Sequence, residues 1–442
     1  MLGIQPNLSS KENLNKLKIN FLQTSFYILI IANASNVIQF FSQLVLGRYL
    51  SVADFGIYNS VQSLSLTVVS FVAIIPFVVS KFMINFQDDT NYRDLLISKL
   101  FGYLLITDII FCAILYLLSS QIGNFLKIYD LSPIYIFIIT IFLTVIYTYF
   151  DSILKGLRLY IVSCLQGALL TILRLSFILL FVIYMHKSYN GALFASVVAT
   201  LITILIIYFN NVKKILHINK NYVVKKIQNR VYINMLKYSI PVCITWIILV
   251  LISYTDVIFI KHYFDDYQTG IYSSASVIGK IGFFLSSALM SAFFPEVINN
   301  DKIEKSSLPI LFMIMFLTII ICGVYVAVVY YFKDLLILLL FGDKYLLASE
   351  YLIRITVLMS IVGVITVLFN FFLAKEIYYY LYVSMIVMIL GALAFFFTKI
   401  NSPNDVLNIF LYLSASLLLT TVLYTFYSYR ENLYGWFLKR QY

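Results

Sequence analysis

Apolar stretches of about twenty residues recur along the whole 442-residue chain, and they limit its fold more than any other feature. A bilayer-crossing helix needs roughly 20 mostly apolar residues. Runs of that kind are read at 21–46, 56–80, 95–118, 133–154, 160–185, 189–210, 236–260, 270–295, 307–332, 350–373, 377–398 and 405–428. Nothing between them is long enough to fold as a soluble domain. The runs are continuous, whereas the strands of a membrane barrel alternate apolar and polar residues over about 10 positions. Composition agrees: 62% of residues are hydrophobic and 12% charged, against about 25% charged in a soluble domain. The expectation is an all-α polytopic membrane protein of about 12 transmembrane helices.

The first run follows a basic segment and contains Ala32-Asn33-Ala34, which has the form of a signal-peptidase site. Cleavage there would strand Ser35 to Leu46 as a stub too short to span, so the run is read as an intact helix. The four cysteines (Cys112, Cys164, Cys243, Cys322) all fall within expected spans and have no metal-ligand or disulfide spacing. They read as small packing residues. The three histidines, His186, His217 and His262, lie near span ends and form no cluster.

Lys and Arg set the expected orientation. With the N-terminus inside, 21 of the 31 fall at cytoplasmic ends and loops. Seven fall outside (Arg48, Lys127, Lys187, Lys261, Lys333, Lys344, Lys399), and Arg174, Lys280 and Arg354 lie within spans. Both termini are therefore expected in the cytoplasm. The densest basic stretch, Lys213 to Lys237, reads as a cytoplasmic linker touching anionic lipid. It accounts for much of the +11 net charge without nucleic acid as a partner. The external loops are all short.

That linker divides the chain into six spans and six spans, expected as bundles at 1–210 and 236–442 joined through 211–235. The halves resemble each other. Gly56-Ile57-Tyr58-Asn59-Ser60 aligns with Gly270-Ile271-Tyr272-Ser273-Ser274 at an offset of 214, and Tyr49 then aligns with Tyr263. Pro76 and Pro295 fall near the far ends of the spans these motifs open. An even number of spans per half makes the repeats parallel, a pseudo-two-fold arrangement common in transporters that rock about a central cavity.

Polar residues inside spans are costly and tend to line cavities. Span 1 carries Asn33, Asn36, Gln39 and Gln43 on one helical face. Asn59, Ser63, Thr67 and Ser70 share a face of span 2, and Ser273, Ser276, Lys280 and Ser287 a face of span 8. Serine and threonine alone are explained by helix–helix hydrogen bonds. Four amides in a row exceed that need.

A charge near a span centre costs about 2.5–3.5 kcal/mol on insertion scales. Lys280 is expected roughly 15 Å deep, ten residues in at 1.5 Å per residue. Arg174 lies well inside span 5, Asp108 near the middle of span 3 and Asp256 about a turn from the outer end of span 7. Lys280 and Arg174 are candidates to line a cavity. Asp108 and Asp256 are candidates either to neutralise them or to bind a coupling proton or sodium ion. Arg354 follows Glu350 by four residues, so an exposed ion pair explains it as well as a cavity does. Buried Lys and Arg would favour an anionic, phosphate-bearing cargo. No nucleotide-binding glycine loop, metal-ligand set, cofactor motif or nucleophile–base pair is seen, so the chain does not read as an enzyme.

At these residues the chain resembles the Wzx-like polysaccharide flippases of the multidrug/oligosaccharidyl-lipid/polysaccharide (MOP) exporter superfamily. Leu46-Gly47-Arg48-Tyr49-Leu50-Ser51-Val52-Ala53-Asp54-Phe55-Gly56-Ile57-Tyr58 is similar to the family's first loop. Thr255-Asp256 through Gly270-Ile271-Tyr272 to Phe294-Pro295 is similar to its spans 7 and 8. Phe341-Gly342-Asp343-Lys344-Tyr345, with Ala348, resembles the loop before span 10, and Lys155-Gly156 and Ala374-Lys375-Glu376 also fit. The likeness covers nearly the whole chain and rests on the order and spacing of motifs that are loose singly. It implies two six-helix bundles in a V with a cation-lined cavity. It also implies flipping of an undecaprenyl-diphosphate-linked oligosaccharide across a bacterial cytoplasmic membrane, for O-antigen, lipopolysaccharide or capsule synthesis, with ion-gradient coupling. Lys280, Arg174 and Asp256 carry over as cavity candidates only. A glycan polymerase complex is a candidate partner.

Three other functions have discriminating features. A multidrug antiporter of the same superfamily needs acidic cavity residues to dominate. A glycan polymerase needs a large external loop or a carboxylate or metal site. A scaffold within a glycan assembly complex would tolerate substitution of Lys280.

Overall fold

The computed structural model describes residues 11–72, 74–86, 90–216, 229–287, 289 and 308–438. The helices are α1 (Lys11–Tyr49), α2 (Val52–Ser70), α3 (Ile74–Asn85), α4 (Thr90–Leu117), α5 (Ser119–Phe125), α6 (Ser132–Gly156), α7 (Tyr160–Ile178), α8 (Tyr189–Ile207) and α9 (Lys213–Leu216). After these come α10 (Asn229–Tyr263), α11 (Asp266–Gly279), α12 (Leu308–Leu340), α13 (Ser349–Ala374), α14 (Tyr379–Phe397) and α15 (Pro403–Leu438). Ten segments of the described residues are long and apolar enough to cross a membrane. α1 and α11 stand where the first and eighth expected spans lie. Helices satisfy every backbone group internally, which hydrocarbon demands.

Two spans differ from the expectation. The run at 56–80 is two helices, because α2 turns at Phe71 and Val72 before α3 begins at Ile74. Pro76 then sits in the first turn of α3, where its missing N–H costs nothing. The run expected at 270–295 starts earlier, at Asp266, and turns at Lys280 before helical geometry resumes over 281–287. Pro295 and most of the basic linker lie outside the described residues.

The repeat is visible in helix ends as well as in sequence. α1 stops at Tyr49 and α10 at the aligned Tyr263. Ser51 caps α2 by accepting from the Asp54 amide, 3.0 Å, and Asp265, again 214 residues later, caps α11 by accepting from Gln268, 2.7 Å. Such caps satisfy amides that a helix start leaves open. The molecule is thus two bundles built on one plan.

The halves meet along α2, which packs against α10 and α11. Lipid supplies no hydrophobic force between helices, so close backbone approach depends on small residues. Gly56 and Gly270 provide it. A Cβ on Gly270 would lie 1.9 Å from the Val52 carbonyl oxygen, and one on Gly56 would lie 2.3 Å from that of Asp266. Phe55 continues the seam, its ring 5.8 Å from that of Tyr345 and 5.7 Å from that of Phe341.

Candidate functional site: a chamber between the halves

Beyond the glycine crossing the halves diverge around a polar chamber of about 230 Å³. α1 contributes Asn36, Gln39, Phe40 and Gln43 to its wall, and α2 contributes Asn59, Gln62, Ser63 and Leu66. Tyr254, Val277, Lys280 and Phe284 come from the C-terminal half. An apolar chamber of about 250 Å³ adjoins it, sharing Asn36, Phe40 and Phe284 and adding Asn33, Val37, Ile281 and Leu285. Val37, Phe284 and Leu285 are exposed on the surface that lipid would cover.

The turn at the end of α11 sets the position of Lys280. Its amide still bonds to Ser276 and its carbonyl accepts from Phe284, at 3.0 and 3.1 Å. Its side chain is half-buried, with Nζ 4.3 Å from the ring centroid of Tyr254. A cation over a ring face gains about 0.5–2 kcal/mol, rising with desolvation, which favours the ammonium in the chamber without a counter-ion in contact. Asp256 lies behind this wall, wholly buried, and its Oδ2 accepts from the Tyr272 hydroxyl at 2.9 Å. Its Oδ1 has no donor. Lys280 and Asp256 interact through their charges without forming an ion pair within 4 Å.

Arg174 stands one residue back from the chamber on the other side. Its Nη2 donates to the Tyr58 hydroxyl at 2.7 Å and to Gln62 Oε1 at 2.9 Å, and Gln62 lines the wall. Its Nε is buried without an acceptor.

The structure therefore brings together Asn36, Gln39, Gln43 and Lys280 around one space, with Asn33 in the adjoining one and Arg174 and Asp256 just behind. Two candidates stand elsewhere. Asp108 is buried on α4 beside α6, where its Oδ1 meets Cys112 Sγ at 3.8 Å and its Oδ2 has no partner. It makes no ion pair with Lys280 or Arg174. Arg354 is exposed on α13 and lines neither chamber. The i,i+4 pair with Glu350 does not form either; Glu350 accepts instead from Asn404 Nδ2 at 3.0 Å. Gln62, Tyr254 and the chamber aromatics Phe40 and Phe284 were not anticipated. A single amide, or an aromatic in a chain this rich in them, carries no periodic signal.

The glycine end of the molecule is closed by side-chain donors from one half bonded to main-chain carbonyls of the other. Lys344 Nζ donates to the carbonyls of Arg48 and Leu50 at 3.0 and 2.7 Å. Arg48 returns the contact through the carbonyls of Leu339 and Leu340. Lys127 Nζ donates to Tyr263 O at 2.9 Å, and His262 Nδ1 to Phe125 O at 2.8 Å with the two rings stacked. Lys261, fully buried, pairs with Asp266 and reaches Lys127 O. Nearby, Asp130 fastens the start of α6 to that of α8. The Ser132 hydroxyl and amide, then Asn190 and Tyr189, donate to its carboxyl and hold it below the usual carboxylate range.

Residues 21–300 match the family described as polysaccharide biosynthesis protein. The chain belongs to that family. As a member, it has the fold of the MOP superfamily, shared with solved structures of low sequence identity. It is similar to the lipid II flippase MurJ in an inward closed conformation, with a TM-score of 0.70 and 13% identity over 91% of this chain and 87% of that one. It is also similar to a multidrug resistance MATE family transporter in an inward-facing conformation, with a TM-score of 0.64 and 14% identity over 87% and 97%. A MOP superfamily transporter from Pyrococcus furiosus, described as having a binding pocket of reverse polarity, gives 0.59 and 14% over 90% and 94%. No curated protein matches this family member in sequence.

Proposed function

We propose that the chain is a flippase that moves undecaprenyl-diphosphate-linked oligosaccharide repeat units across the bacterial cytoplasmic membrane by alternating access, supplying surface polysaccharide synthesis such as that of O-antigen or capsule. The observation that carries this reading is the pairing of two spaces at one seam. The polar chamber offers a cation and a row of amides, and the apolar chamber beside it reaches the lipid-covered surface. A lipid-linked sugar has the same division. Its phosphate meets Lys280, its sugars meet the amides, and its chain stays in hydrocarbon.

The family supports the polysaccharide setting and the charge asymmetry of Lys and Arg supports cytoplasmic termini. On that orientation the Gly56–Gly270 end faces outward and the chamber is approached from the cytoplasm. The halves at 1–210 and 236–442 would rock about the seam, with 211–235 as their link. Asp256 is placed to sense Lys280 and is the ion-coupling candidate, for a proton or sodium gradient; Asp108 would act at a distance from the cargo. The protein carries its cargo without chemistry, and a glycan polymerase complex would receive it. A multidrug antiporter would need carboxylates on the chamber wall, and among the described lining residues there are none.

The test is reconstitution in liposomes with a labelled undecaprenyl-diphosphate oligosaccharide under an imposed proton or sodium gradient. Wild type should move the label between leaflets, and Lys280→Ala should lose most of that rate while remaining folded. Equal rates would remove Lys280 from the site; no movement of any of several glycans by wild type would turn the assignment toward an antiporter or a scaffold.

A further inference from the structure

The flippase reading leaves open what kind of sugar the chamber accepts, and the wall bears on that. Asn36, Gln39 and Gln43 fall on successive turns of α1 and face the chamber. Among the described residues none of the three amides has a side-chain hydrogen-bond partner, and Gln43 Oε1 is buried without a donor. Buried polar groups are normally satisfied. Gln43 Oε1 is one that is not, and it shares the cavity wall with the unpaired amides of the half-buried Gln39 and the exposed Asn36, so the row is free to take up a ligand. Asn59 and Gln62 add two more amides from α2.

Each amide offers both donors and an acceptor. That suits hydroxyl and acetamido groups, which also donate and accept. It does not suit a carboxylate, which only accepts and brings a charge. Among the described lining residues Lys280 is the one formal charge. Arg174 turns its Nη2 to Tyr58 and Gln62, and Asp256 is sealed behind Tyr272. The two charges of a diphosphate already outnumber Lys280, the one cation on the described wall, so a further anion in the sugars has no counter-ion, and an uncompensated charge away from water is strongly disfavoured.

We infer that the sugars this chamber carries are uncharged and rich in hydroxyl and acetamido groups, read by the amide row of α1, with the cargo's negative charge confined to the phosphate at Lys280. The inference rests on the flippase reading, and the two can fail separately.

The experiment compares two labelled undecaprenyl-diphosphate disaccharides in liposomes containing the wild-type chain. One ends in a neutral hexose and the other in the corresponding hexuronic acid. The neutral cargo should flip at least about tenfold faster, the factor expected for one poorly compensated charge. In the Gln39→Lys variant a second cation on the wall should shift the ratio toward the uronic acid by a similar factor. Equal rates, or faster movement of the acidic cargo by wild type, would overturn the inference and leave the flippase reading standing. Movement of neither would remove the flippase reading and the inference with it.

Discussion

Tyr58 and Tyr272 stand 214 residues apart at matching places in the two halves, and their hydroxyls hold charges of opposite sign, the half-buried Arg174 and the buried Asp256. Tyr58 accepts from Arg174, and Tyr272 donates to Asp256. The tyrosine recurs in both halves, with a cation as its partner in one and an anion in the other. This makes the two walls of the seam electrostatically unlike: one half screens its arginine behind Gln62, and the other presents Lys280 to the chamber.

Removing either hydroxyl should therefore destabilise the fold. Tyr58→Phe and Tyr272→Phe are each expected to cost about 1.5–3 kcal/mol, the range for hydrogen bonds to charged groups. Thermal unfolding in detergent measures it. The double variant Tyr58→Phe/Arg174→Met should recover part of the loss, because the stranded charge goes with its partner. Simple additivity would show that Tyr58 and Arg174 are not coupled.

The glycine crossing makes a sharper demand. Gly270→Ala places a methyl group against the Val52 carbonyl, so α2 and α11 must part. Ser60 is fully buried beside this crossing. In a background lacking the four native cysteines, Ser60→Cys should resist a membrane-impermeant thiol reagent applied from outside. Adding Gly270→Ala should make it react. Unchanged protection would mean that the crossing does not seal the glycine end.

Lys344 should bias the molecule toward closure of its glycine end. Lys344→Ala removes two bonds to the carbonyls of Arg48 and Leu50, and about 1.5–3 kcal/mol of preference should go with them. That is a shift of roughly ten- to a hundredfold in the balance of closed and open forms. Spin labels on the exposed Tyr49 and Leu347 positions would report a longer distance in the variant. Lys344→Arg should restore the short one.

Asp130 supplies a pH dependence with a definite sign. Its carboxyl is held below the ordinary range by Ser132, Asn190 and Tyr189. A carboxylate with a depressed folded value contributes stability above its unfolded value of about 3.9 and loses it as pH falls through the folded one. The junction of α6 and α8 should thus loosen as pH falls below about 4 and through the folded value. Amide exchange at Ser132, corrected for its intrinsic rate, should rise over that window. Asp130→Asn should exchange faster than wild type above that window and show no such rise within it.

The parts of this site that could be read from sequence are those that violate the apolar rule periodically. Four amides at spacings of 3, 3 and 4 declare a helix face, and a lysine ten residues into a span declares a cavity. Both declarations led to the chamber. Depth along a helix can be counted, but the direction a side chain faces depends on neighbours that are distant in sequence. Arg354 and Asp108 were legible as charges within spans for that reason, and their remoteness from the chamber was not. Gln62 and Tyr254 gave no periodic cue. The helix ends were better marked than the runs suggested, since Ser51 and Asp265 cap by local chemistry alone. The break at Phe71 was not visible because it carries no glycine or proline at the bend, and the turn at Lys280 was not visible because Gly279 and Gly282 beside it are single glycines in an apolar run, which do not by themselves mark a turn.

The carbonyl acceptors at the closed end have an evolutionary consequence. Arg48, Lys127, His262 and Lys344 each bond to main-chain oxygen, which every amino acid supplies. A lineage can exchange Leu50, Phe125, Tyr263 or Leu340 for other residues of similar bulk and keep the oxygen where it was. Only the donor has to be inherited. Seals of this kind tolerate drift on one of their two faces, which lets a transporter diverge far in sequence while its halves still shut.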